Sequence, residues 1–190
     1  MRKLIQLAVL GALFLYPFII YFGFHFLSIQ SLSLIVIVLL GFRFMALRNS
    51  ALTTKYTKIA FIALIFIGII CAGISFFISD VFFIKLYPIL MNIGFFILFS
   101  SSLFTAENII LRVAKKTAKS PLPKAAVGYT KKVTIVWCVF FIINALISLV
   151  TALFFSITIW TIYNGFISYL LIAIVMLTEI GVRQRVKKAK

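Results

Sequence analysis

Residues 133–156 read VTIVWCVFFIINALISLVTALFFS, a run without a charge and with one amide, Asn144, near its middle. About 20 predominantly apolar residues cross a bilayer as a helix, and five further runs of that kind lie near 4–27, 30–47, 59–79, 81–104 and 160–182. The sequence therefore predicts an all-α, polytopic membrane bundle of six transmembrane helices, one integral domain over 1–190, with a cytoplasmic loop at 105–132. Composition agrees: 64% of residues are hydrophobic and 12% charged, whereas about a quarter of a soluble domain is charged. The opening MRKLIQLAVLGALFLYPFIIYFGFHFL begins like a signal peptide, but its apolar run is long and no small-x-small site follows. It is expected to remain as the first span.

The 19 Lys and Arg residues sort by loop. Arg2 and Lys3 open the chain; Arg43, Arg48, Lys55 and Lys58 surround the second connection. The loop after span four carries Arg112, Lys115, Lys116, Lys119, Lys124, Lys131 and Lys132, and the tail carries Arg183, Arg185, Lys187, Lys188 and Lys190. Only Lys85 falls on the opposite side, so the positive-inside rule predicts both termini in the cytoplasm. Arg43, near the end of span two, is expected to snorkel to the headgroups. The opposite connections, FLSIQS, ISD around Asp80, and SITIWTIYNG, are short, and Trp160 and Tyr163 are expected as interfacial anchors.

In ENIILRVAKKTAKSPLPKAAVGYTKK, residues 107–132, Ile109, Ile110, Val113 and Ala114 can line one side of a short amphipathic helix and the lysines another, before Pro121 and Pro123 turn the chain. A net charge of +16 does not imply nucleic acid, because no segment is long enough for a folded basic module. Arg112, Lys115, Lys116, Lys119, Lys131 and Lys132 instead face anionic lipid headgroups, at about 1 kcal/mol per basic residue near the surface, or an acidic soluble partner.

Asn92 and Asn144 lie mid-span, and each needs a hydrogen-bond partner inside the bundle. Two readings stand open: glue between helices, or the polar floor of a cavity shared with Tyr87 and the Ile84 carbonyl that Pro88 leaves without its usual donor. LYPILMNIGF at 86–95 echoes LYPFIIYFGF at 15–24, and Pro17 would kink span one as Pro88 kinks span four. The echo fits either an inverted repeat or coincidence, because the halves differ in loop length. Glu179, the one acid well within a span, stands four residues before Arg183, as an i,i+4 ion pair or a proton- or headgroup-binding group.

Cys71 and Cys138 fall in apolar runs and read as small buried hydrophobes. No metal ligand set and no cofactor motif is present in the sequence, and no cofactor is expected. His25 and Asp80 could meet at the non-cytoplasmic edge, which leaves a lipid-modifying enzyme as a rival, but a non-catalytic protein is expected.

YPILMN at 87–92, LP at 122–123, YTKKVTIVWCVFFIIN at 129–144, WTIYNG at 160–165, LYP at 15–17, and Glu179 with Arg183 carry a resemblance. From span four onward the chain resembles a bacterial inner-membrane protein family encoded beside acyl carrier protein, ketosynthase and acyltransferase genes in aryl-polyene and related lipid clusters. More distantly it is similar to the septation protein A family. The first resemblance implies a bacterial inner-membrane protein assisting an acyl-lipid or polyene pathway, by handling a lipid-like molecule or by scaffolding soluble enzymes, with acyl carrier protein as an acidic partner. The second implies a structural role in the cell envelope or septum.

Overall fold

The computed structural model describes residues 22–23, 26–48, 55–117 and 125–188. Among them all regular structure is helical, without a strand. α1 spans Ile29–Arg48, α2 Lys55–Ile78, α3 Phe82–Ser102, α4 Ile109–Thr117, α5 Ala125–Phe154 and α6 Ile157–Ile162; a π-helical turn at Tyr163–Ile167 joins α6 to α7, Ser168–Lys188. Four stretches, Phe61–Ile78, Phe82–Ser102, Ala125–Phe154 and Ile157–Gln184, are long and apolar enough to cross a membrane, and Ile29–Met45 is a shorter apolar helix. Most of the first expected span, with Pro17 and His25, lies outside the described residues, as does Lys119.

The faces of α5 explain the solvent. Thr130, Thr134, Cys138, Ala145, Ser148, Thr151 and Ala152 are buried, whereas Val136, Val139, Ile143, Leu146 and Leu153 are about half exposed. Mostly small and hydroxylated residues inside, beside the larger Val133 and Phe141, with branched apolar residues outside, suit a helix whose surroundings are lipid: small side chains let backbones approach, and hydroxyls find partners within the bundle. In water such an apolar exterior would be a large aggregation surface.

The helices pack in chain order, α1 on α2, α2 on α3, and α3 on α5, with α4 against α5. α2 and α3 form an antiparallel hairpin through Ser79, Asp80 and Val81, in which Ser79 takes the left-handed conformation at φ 59°. Asp80 Oδ1 accepts from the Phe82 amide at 2.8 Å, and Ser75 Oγ donates to the Asp80 carbonyl. Gln30 Nε2 donates to Ser79 Oγ at 2.5 Å, so the start of α1 and this turn share one end of the bundle. Two glycines set the helix spacing. A Cβ on Gly68 would stand 2.5 Å from Tyr87 Cε2 and 2.8 Å from Leu40 Cδ1, and one on Gly94 would run into Leu64. The notch in α2 thus seats a ring from α3, and the notch in α3 seats a leucine from α2.

Two expectations about connections change. SITIWTIYNG is not a connecting loop: only Phe155 and Ser156 interrupt the helices, and Ser156 Oγ accepts from the Ile159 amide at 3.4 Å to start α6. The loop drawn at 105–132 contains α4 and the first turns of α5, so Lys131 and Lys132 stand on a helix. Ala125 and Ala126 favour helix, and charged residues do not end a helix where it leaves the lipid.

Candidate functional site

One set of buried polar residues gathers where α3, α5 and the π turn meet. Asn144 Nδ2 donates to Asn92 Oδ1 at 3.0 Å and to Ser168 Oγ at 2.9 Å, while Asn144 Oδ1 accepts from the Tyr163 hydroxyl at 2.7 Å. Asn92 Nδ2 turns back to the Pro88 carbonyl at 2.7 Å. Pro88 thus shapes α3 while its carbonyl holds the amide side chain one turn on. Beside this set, Ser148 Oγ donates to Asn164 Oδ1 at 2.6 Å, and Asn164 Nδ2 donates to the Trp160 carbonyl at 3.0 Å and Thr151 Oγ1 at 3.3 Å.

The π turn makes this possible. Its wider turn cancels the angular drift of the ordinary helix, so Trp160, Asn164 and Ser168, four residues apart, all remain buried toward α5. Trp160 is 2% exposed and joins the core cluster of Leu32, Val36, Ile84 and Ala152; Tyr163 is 8% exposed. Trp160 and Tyr163, expected as interfacial anchors, both turn their rings against protein, on helical segments that begin before them rather than after.

Each polar atom named in the junction meets another protein group, so the chemistry it can do is cohesion: low dielectric strengthens satisfied networks. A groove of about 190 Å³ on the outer side of α3 and α5 is lined by Ile89, Ile93, Phe96, Phe141, Ile142, Ala145, Leu146 and Leu149, without a polar atom. Tyr87 is half-buried over Gly68 and belongs to neither the junction nor the groove.

The basic end is organised by two residues that sequence reasoning passed over. Buried Asn108 caps α4, its Oδ1 accepting from the Leu111 amide at 2.9 Å. The same side chain reaches α5, donating to Thr130 Oγ1 at 3.2 Å and accepting from Thr134 Oγ1 at 3.1 Å. An asparagine directly before an apolar-basic run was the available signal. Glu107 pairs with Lys115 at 2.5 Å, and its carbonyl accepts from Arg112 Nε at 2.8 Å; Arg112 Nη2 also donates to Thr105 Oγ1 at 2.9 Å. Lys116, Lys131 and Lys132 are exposed.

Glu179 Oε1 lies 4.0 Å from Arg183 Nε, the distance of a loose i,i+4 pair, and accepts from the Tyr129 hydroxyl at 3.3 Å. Tyr129 also donates to the Glu179 carbonyl at 3.2 Å, which fastens the far part of α7 to α5. Cys71 and Cys138 are buried free thiols. At the opposite end Lys85 Nζ reaches the Ala152 carbonyl at 3.4 Å in the last turn of α5, where a cation complements the helix dipole.

No protein-family model matches the chain, and neither a curated protein nor a solved structure matches it.

Proposed function

We propose that the chain is a non-catalytic protein of the bacterial inner membrane, with both termini cytoplasmic. In this reading it serves a membrane-associated acyl-lipid or polyene pathway by holding acidic soluble enzymes, an acyl carrier protein foremost, at its basic end. The carrying observation is that this end is fastened rather than loose. Asn108 ties α4 to α5 one residue from Lys131 and four from Lys115 by way of Thr130 and Leu111, and the exposed lysines therefore project from a fixed frame. Opposite charge on a preorganised face speeds and orients docking. The pathway comes from the family resemblance carried by YPILMN, YTKKVTIVWCVFFIIN and WTIYNG. The closed Asn92–Asn144 junction favours this scaffold over a polar transport path through the bundle.

Reversal of Lys131 and Lys132 to Glu tests it. Vesicles carrying the full chain should sediment an acyl carrier protein at low salt, lose it at high salt, and lose it in the double variant. Equal sedimentation by the variant removes the scaffold. A deletion strain with an unchanged lipid profile and a division defect would favour the septation-type role instead.

A further inference from the structure

The apolar groove between α3 and α5 leads to a cation. Its α3 wall is Ile89, Ile93 and Phe96, and Lys85 stands four residues before Ile89, on the same helical face. Its α5 wall runs from Phe141 through Ala145 to Leu149, and Ala152 stands three residues beyond Leu149, again on the same face. Lys85 Nζ donates to the Ala152 carbonyl at 3.4 Å, so the two walls, continued by one turn each, meet at the end opposite the lysine face. Asn92 and Asn144, 3.0 Å apart, join the same two helices further in. Going from one contact to the other moves forward along α3 and backward along α5, which makes the pair antiparallel along the whole groove.

Away from Lys85 the lining turns aromatic: Phe141 stacks on Phe95 with ring centroids 5.2 Å apart, and Phe96 lies across from it on α3. From Leu149 to Phe141 the helical rise gives a strip about 12 Å long, and its volume is about 190 Å³. That is room for a stretch of one hydrocarbon chain lying along the helices. Lys85 itself is half-buried, and an ammonium carries three donors. Among the described residues it makes the one hydrogen bond to Ala152, longer than the usual range, and no ion pair. Asp80, the acid of this end, turns Oδ1 to the Phe82 amide. A cation among apolar helices calls for a counter-charge, and the carbonyls of a helix end supply only part of one.

We propose that the groove between α3 and α5 seats one anionic phospholipid of the leaflet opposite the lysine face, with one tail along the groove and the phosphate on Lys85. A phospholipid is the occupant because it surrounds the groove as the solvent, and mass action favours the abundant species. A net negative head is preferred because a zwitterionic one brings its own cation to the phosphate and gains less from Lys85. The site goes beyond the scaffold reading: it uses no residue of the basic face and its test involves no soluble partner.

Full-length protein in neutral maltoside micelles is photolysed with a trace of phosphatidylglycerol carrying a diazirine midway along one tail, and the label is mapped by peptide mass spectrometry. Label should fall on the lining residues Ile93, Ile142 or Leu146. Unlabelled dioleoylphosphatidylglycerol should displace it at about tenfold lower concentration than dioleoylphosphatidylcholine, the size of one charged hydrogen bond. Lys85→Gln should erase that advantage and Lys85→Arg should keep it. Arg43→Gln, which removes an exposed cation toward the other end of the bundle, should leave it unchanged. Ala145→Leu fills the groove and should lose the label from it. Equal displacement by the two phospholipids overturns the site, and so does a Lys85→Gln protein that keeps the preference. Displacement by oleate ahead of phosphatidylglycerol overturns the phospholipid as occupant, and label absent from the lining residues, as when a second copy covers the groove, overturns the docking itself. If Lys85→Gln aggregates, the parent and Ala145→Leu decide: equal displacement in the first, or groove label persisting in the second, overturns the site.

Discussion

Asn144 Nδ2 lies 3.0 Å from Asn92 Oδ1, so an amide from α5 and an amide from α3 satisfy each other in the bundle interior. Asn144 holds two more partners, Ser168 and Tyr163, whereas Asn92 holds Pro88 within its own helix. The two amides are unequal, and the consequences of removing them should be unequal too.

Interhelical hydrogen bonds in membranes average about 0.6 kcal/mol. Asn144→Ala breaks three and should lower unfolding stability in mixed micelles by about 2 kcal/mol; Asn92→Ala breaks one between helices and should cost about 1 kcal/mol. The double variant should be less than additive by about 0.6 kcal/mol. Strict additivity would mean that the pair is not coupled.

Gly94 and Gly68 set the close approach of α2 and α3. Gly94→Ala drives a methyl group into Leu64, which is 5% exposed and closely packed, and should cost about 1–3 kcal/mol as overpacking. Leu64→Val in the same chain should recover part of the loss. Gly73→Ala, with open space around its Cβ, is the control and should leave thermal stability unchanged or slightly raised.

Asn108 does two jobs at once. Asn108→Ala should free α4, seen as faster amide hydrogen exchange over 109–117, at a cost of about 1–2 kcal/mol from the lost cap alone. Asn108→Asp keeps the cap acceptor for Leu111 and the acceptor for Thr134 but loses the donor to Thr130, so exchange should fall between the two. Parent-like exchange in Asn108→Ala would show that α4 is held elsewhere.

Tyr129→Phe removes the hydroxyl that bonds Glu179. Exchange in α7 near Glu179 should quicken while the start of α7, anchored by Ser168 on Asn144, stays protected. Uniform change along α7 would contradict two separate anchors.

Much of the architecture is readable in the residues. The apolar runs near 30–47, 59–79 and 81–104 overlie helices at Ile29–Arg48, Lys55–Ile78 and Phe82–Ser102, because length and apolarity dominate where backbone groups must bond internally. The pairing of Asn92 with Asn144 is not readable, since it depends on α3 lying against α5, and periodicity on one helix carries no neighbour. WTIYNG misleads for a different reason: Asn-Gly is a strong turn signal in water, yet here Asn164 and Gly165 are buried in a π turn whose side chain is satisfied by Ser148 and Trp160. Arg43 reads as a snorkelling residue by its distance from the helix end, and its side chain is exposed.

Every role assigned to the lysine face requires that face to lie in the cytoplasm. In a chain with Cys71 and Cys138 replaced by alanine, single cysteines at Ser79 and Lys116 are treated in intact cells with a membrane-impermeant maleimide. Ser79→Cys should label in intact cells and Lys116→Cys only after the membrane is permeabilised; labelling of Lys116→Cys in intact cells would contradict the orientation and remove the scaffold with it.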